Sequence, residues 1–205
     1  MRVQPDVTSP ALSAAYATSG LPAEVAPEAL VRAARDGDVR AFAVLVTRYH
    51  ARALRFALNM GLVREDAEEV VQDAFVRVHR ALPRFRDGAA FEPWLFRILA
   101  NRCRSAHARS RAWRRAASDD AAIALLPAPG AGTSGTADAE TVRGAVLKAL
   151  EGLPREQREA FLLRHVEDLD YEDMMRITGA GLSALKMRVK RACDALRARL
   201  TGEML

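Results

Sequence analysis

Between residues 42 and 60 the apolar side chains Phe42, Leu45, Val46, Tyr49, Ala53, Phe56 and Met60 return mostly at three- and four-residue intervals. That interval is the pitch of one face of an α-helix, and a half-buried strand would instead alternate every second residue. The following segment, "EDAEEVVQDAFVRVHRAL", keeps it with Ala67, Val70, Val71, Ala74, Val78 and Leu82. Val142, Val146, Leu150 and Leu153 repeat it near the C-terminal third, and "PREQREAFLLRHVED" resumes it after a proline. Nothing reads as a strand, so the expected fold is all-α.

Punctuation residues divide this pattern. Pro27 suits a helix start and Gly37 a stop, Asp38 can cap the next helix, Gly61 closes it, and Pro83 ends the one after. The periodicity then fails over "AASDDAAIALLPAPGAGTSGTAD", which is rich in Ala, Gly, Pro, Ser and Thr and reads as a flexible linker. The expected layout is a disordered extension over 1–26, a helical domain over 27–115, a linker over 116–138 and a second helical domain over 139–205. The linker's glycines lack the Lys-Ser/Thr ending of a phosphate-binding loop, which removes a nucleotide site there. Pro5, Asp6, Pro10 and Ser13 interrupt any signal-peptide core, and no apolar run has the length of a membrane span. A cytoplasmic protein without membrane insertion is expected.

Catalysis finds little support. His50, His79, His107 and His165 are scattered without triad or zinc spacing, and Cys103 and Cys193 belong to no paired motif. The expectation is no catalytic residue, no metal, no cofactor and two thiols kept reduced.

Charge is segregated along the chain, whose net charge is +5. Glu65, Asp66, Glu68, Glu69 and Asp73 crowd one segment against a single arginine. From residue 97 to 115 the charged residues are basic only: Arg97, Arg102, Arg104, Arg109, Arg111, Arg114 and Arg115. Each run can be a solvated helix face. A cationic run without one acidic residue is nevertheless most simply neutralised by a polyanion. Near the C-terminus a short helix, a turn with Gly179 and Gly181, and a longer helix have the spacing of a helix-turn-helix. The longer helix buries Leu185, Val189, Ala192 and Leu196, leaving Lys186, Met187, Lys190 and Arg191 on or near the side that could enter a major groove.

Taken in order, "GDVRAFAVLVTRYH", "EDAEEVVQDAFVRVHRALPRFRDGAAFEPWLFRILANRCRS" and "LPREQREAFLLRHVEDLDYEDMMRITG" resemble the sigma-70 family of bacterial RNA polymerase sigma factors, in its small extracytoplasmic-function (ECF) subfamily. The resemblance runs from Pro27 to about Leu200. It implies a first domain that binds the clamp of the largest polymerase subunit and the minus-ten promoter element. The second domain would bind the minus-thirty-five element and the flap of the second-largest subunit. By this resemblance Asn101 lies at the loop that receives a base flipped out of the minus-ten element, where its amide can both donate and accept. Arg102, Arg104, Arg109, Arg111, Arg114 and Arg115 would contact phosphates. Asp66, Glu69, Gln72 and Asp73 would face the basic clamp, while Trp94 and Phe91 are read as core. Lys186, Met187, Lys190 and Arg191 match the minus-thirty-five-reading positions, with Arg188 as a phosphate contact and Ser183 as a helix cap. Met175 and Met187 stand where the family has smaller residues, and Ser183-Ala184 where it often has Gly-Thr.

The partners implied are core RNA polymerase, promoter DNA and an anti-sigma factor. Two other readings compete. A decoy that only sequesters an anti-sigma factor would need neither Asn101 nor a basic recognition helix, and a stand-alone helix-turn-helix regulator would not need the acidic clamp-facing helix.

Overall fold

The computed structural model describes residues 25–86, 90–118 and 146–203, with side chains for all of them except 113–118 and 202–203. The expected N-terminal extension, but for its last two residues, and the linker beyond residue 118 lie outside the described residues. Among those described there are helices and turns but no strand.

The first unit holds α1 (Pro27–Arg35), α2 (Val39–Asn59), α3 (Arg64–Ala81), a 3-10 turn (Leu82–Arg84) and α4 (Phe91–Ser118). Pro27 occupies the first turn of α1, where its missing N–H costs nothing. Asp38 caps α2 by accepting from the N–H groups of Arg40 and Ala41, at 2.8 and 3.2 Å, an arrangement that contributes roughly 1 kcal/mol. Gly61 ends α2 at φ +87°, and a Cβ there would collide with the Arg158 guanidinium. Leu45, Phe56, Met60, Val70, Leu82, Leu95, Phe96 and Leu99 are almost fully buried between these helices. Phe56 and Phe96 meet edge to face at 5.3 Å.

The second unit opens with α5 (residues 146–151), followed by α6 (Arg155–Phe161), a π-helical turn (Leu162–Val166), α7 (Tyr171–Thr178) and α8 (Leu182–Glu203). Asp170 caps α7 through the Asp173 N–H at 2.8 Å. Gly179 closes it in the left-handed region, φ +73°, where its N–H reaches the Met175 carbonyl at 2.9 Å. That closure, with the Gly181 carbonyl accepting from the Leu185 N–H at 3.0 Å, turns the chain into α8. Leu162, Leu163, Met174, Leu185 and Ala192 form the core of this unit.

Several expectations need correction. α4 itself continues through Ser118. Ser183 is not a cap, because α8 already begins at Leu182. Asn101 lies in neither a loop nor a helix end but ten residues into α4. The two units also touch: α4 packs along α7, while the Asn101 side chain stays exposed.

Candidate nucleic-acid interface

The apolar face of α4 fixes its cationic face. Leu95, Leu99, Cys103 and Ala106 are buried against the earlier helices, while Arg97, Asn101, Arg109 and Arg111 are exposed. Phe91 is buried and Trp94 half-buried in a ring cluster with Phe85, at 6.3 and 4.6 Å between centroids, so both are packing residues. Burial pushes the Cys103 thiol up to about 12, which keeps it protonated and unreactive at neutral pH.

Arg102, Arg104 and Arg109, without a counter-charge nearby in sequence, acquire one from other helices. Arg102 pairs with Asp73, which also holds Arg77 at 3.0 Å, and Arg109 lies 3.4 Å from Glu69. Arg104 donates to Glu159 of α6, to the Ile177 carbonyl of α7 at 3.0 Å, and to the Asn101 side-chain oxygen. Arg111 is exposed. The side chains of Arg114 and Arg115 lie outside the described residues.

α3 presents the acidic face. Glu69 and Gln72 are exposed, and Asp66 and Asp73 half-buried, while Val70, Val71 and Phe75 are turned into the core. Glu69 and Asp73 therefore stand beside Arg109 and Arg102, and the acidic and basic faces meet along the α3–α4 seam.

On α8, Leu185, Val189, Ala192 and Leu196 are buried, and Lys186, Met187, Lys190 and Arg191 are exposed. Lys186 Nζ sits 5.9 Å from the centre of the Tyr171 ring. Met187, 47% exposed, places a large apolar group in the middle of this cationic face. Arg188 is half-buried and held by Glu156 at 2.5 Å.

Sequence reasoning missed the residues that join the units. Glu167, 2% exposed, takes the Arg52 guanidinium at 2.5 Å, and Arg52 also pairs with Glu92 at 3.1 Å. Burial pushes the Glu167 carboxyl up while Arg52 pulls it back. Burial would lower Arg52, but the hydrogen bonds and charges of Glu167 and Glu92 raise it. Glu159 behaves like Glu167, raised by burial and opposed by Arg104 and Arg155. Arg158 reaches the other way, from α6 to the Met60 carbonyl at 3.0 Å, which the His107 ring also contacts at 3.0 Å. The only signal in the sequence is that Glu159 and Arg158 adjoin the apolar run "AFLL". Among the described residues no three His, Cys, Asp or Glu side chains cluster as a metal site, and no helix is long and apolar enough to cross a membrane.

Two helical units, one with a cationic helix on an acidic neighbour and one with a helix-turn-helix whose basic face is exposed, define the class of a nucleic-acid-binding protein. Two family models match: Sigma-70 region 2 over residues 45–114, and Sigma-70, region 4 over residues 143–196. The RNA polymerase sigma-H factor of Pseudomonas aeruginosa is 29% identical over 178 residues, 82% of this chain and 90% of the relative. The ECF RNA polymerase sigma-E factor of Escherichia coli is 29% identical over 180 residues, 84% of this chain and 93% of the relative. Among solved structures, the Bartonella quintana sigma factor RpoE in complex with the anti-sigma factor NepR superposes with TM-score 0.64 at 28% identity, covering 80% of this chain and 98% of that one. CnrH in complex with the cytosolic domain of CnrY gives 0.63 at 26% identity, covering 87% and 99%. The chain belongs to the sigma-70 family, in its ECF subfamily.

Proposed function

We infer that this chain is a transcription initiation factor that directs RNA polymerase to specific promoters, and that it acts by binding, the polymerase supplying the chemistry. The observation that carries the residue-level reading is one chain presenting two separate cationic faces, on α4 and α8, with an acidic face beside the first.

On this reading α8 enters the major groove of the minus-thirty-five element. Lys186, Lys190 and Arg191 reach phosphates or guanine edges, and Met187 meets an apolar group such as a thymine methyl. α4 engages the minus-ten element. Arg102, Arg104, Arg109, Arg111, Arg114 and Arg115 attract the backbone, and the Asn101 amide reads an unstacked base edge. Extruding a base costs a few kcal/mol, which capture and phosphate contacts offset. Asp66, Glu69, Gln72 and Asp73 meet the basic clamp of the largest subunit, where complementary charge fixes register and speeds encounter more than it adds affinity. The second unit also contacts the flap of the second-largest subunit. The protein works in the cytoplasm and, like the relatives solved with anti-sigma factors, is held by one. The sequestering-decoy alternative is not favoured, since both cationic faces are intact.

The test is transcription in vitro with purified core polymerase on a genomic promoter library. The chain should create defined start sites, and Asn101→Ala should slow promoter opening while leaving recruitment nearly unchanged. Core polymerase that initiates no more selectively with the chain than without it sinks this reading.

A further inference from the structure

We propose that Tyr171 is a positioning residue for minus-thirty-five recognition, its ring holding the Lys186 ammonium on the outer side of α8 without neutralising it. The proposal rests on the reading of Lys186 as a promoter contact.

The observation is one ring shared by two cations from different elements. Lys186 Nζ of α8 lies 5.9 Å from the centre of the Tyr171 ring, and Arg164 Cζ of the π-helical turn lies 5.5 Å from it. A cation within about 6 Å of a ring centre is drawn to the electron-rich face. Tyr171, the first residue of α7, is half-buried and packs against the core, so the fold fixes the ring before any DNA arrives. Asp170, directly before it, caps α7 through the Asp173 N–H. Arg164 is anchored as well. Its Nη1 donates to the Leu169 carbonyl at 2.9 Å, across a turn in which Asp168 takes φ +53°. The same turn is tied by the Leu169 N–H donating to the Leu163 carbonyl at 3.0 Å.

The kind of contact decides what the lysine can do. Among the described residues no carboxylate pairs with Lys186, whereas Glu156 holds Arg188, its near neighbour on α8. A carboxylate would orient the ammonium but offset its charge, and a phosphate would have to displace it. A ring face orients the ammonium and leaves the charge whole. Lysine has a long, flexible stem and loses much rotamer freedom when it is fixed. A phosphate that meets an ammonium already confined therefore binds at a smaller entropic loss. Tyr171 supplies that confinement from α7, the helix that does not carry the reading face.

The experiment is a double-mutant cycle on the full-length chain in reconstituted polymerase holoenzyme, with Tyr171→Leu, Lys186→Met and their combination. Anisotropy gives affinity for a promoter duplex chosen in the transcription experiment, and thermal melts confirm folding. Tyr171→Leu should weaken binding about two- to fivefold, the worth of an exposed cation–π contact. In the Lys186→Met background the same change should have no effect. Tyr171→Phe, which keeps the ring, should restore the parent's affinity. Equal effects of Tyr171→Leu in both backgrounds, zero included, overturn the positioning role while leaving Lys186 a promoter contact. A Tyr171→Phe variant as weak as Tyr171→Leu overturns it too, because the hydroxyl then acts and not the ring. Lys186→Met binding as tightly as the parent sinks the reading of Lys186 itself, and the proposal with it. Should Tyr171→Leu unfold, Tyr171→Met carries the same expectation.

Discussion

Replacing Lys186, Lys190 and Arg191 together by alanine isolates the electrostatic part of minus-thirty-five binding. All three are exposed on α8, opposite the buried Leu185, Val189 and Ala192, so their loss leaves the core of the helix-turn-helix intact. Each phosphate neutralised releases condensed counterions, and the logarithm of affinity then falls with the logarithm of salt by about 0.9 per contact. If all three side chains touch phosphates, the variant's slope should be shallower by about 2.7. Over a fourfold rise in salt, the parent should lose about fortyfold more affinity than the variant. Arg188 is the internal control, because Glu156 already holds it at 2.5 Å. Arg188→Ala should change the slope by much less than one contact's worth. The assay is a salt titration of reconstituted polymerase holoenzyme on a promoter duplex, followed by anisotropy. A triple variant with the parent's slope, or an Arg188→Ala variant that accounts for most of the change, would refute the assignment of these side chains.

Two further outcomes follow from the interior. Phe56→Ala, which removes a fully buried ring from its contact with Phe96, should cost about 3–5 kcal/mol, read as a lowered denaturant midpoint. A cost under about 1 kcal/mol would mean that the site is not packed as described. His107, lowered from 6.5 by burial and by the charge of Arg155, binds its proton less readily when folded than when unfolded. Its contribution to stability is thus present above 6.5 and lost as pH falls through the depressed value. The carboxyls of Glu159 and Glu167, raised from 4.5 mainly by burial, have the opposite sign, favouring the folded state as pH falls. The informative quantity is therefore the difference between proteins. His107→Gln should lose less stability than the parent in thermal melts taken from about pH 7 to about pH 5, and equal losses would remove His107 from this role.

How much of this was legible depended on the range of the interactions. The apolar spacing of Phe42, Leu45, Tyr49 and Phe56 names a helix because neighbours on a face are three or four residues apart, and α2 is where that spacing puts it. The Asp38 cap, the Gly61 stop and the Gly179 turn were readable for the same reason. Partners distant in sequence were not. Arg188 meets Glu156 across 32 residues, and Arg104 meets Glu159 across 55, and no local pattern marks either pair. Even the apparent excess of arginine on α4 was a local view, since α3 and α6 supply its counter-charges. Ser183 misled because α8 starts at Leu182, two residues before the first helical position that a Ser183 cap implies.

These pairings differ in how readily DNA could displace them. Arg109 and Glu69 are 55% and 68% exposed at their side chains, and pairs of that kind contribute about 0–1 kcal/mol. A phosphate can take Arg109 from Glu69 at little cost. Arg102 and Asp73 are less open, at 21% and 33%, and Asp73 keeps Arg77 when Arg102 leaves it. Arg104 is different in kind. Releasing it strands Glu159 in a nearly dry interface unless the second unit moves away. On the proposed reading, Arg109, Arg111 and the exposed Asn101 are accessible while the units touch, whereas Arg104 can exchange Glu159 for a phosphate only as that interface opens.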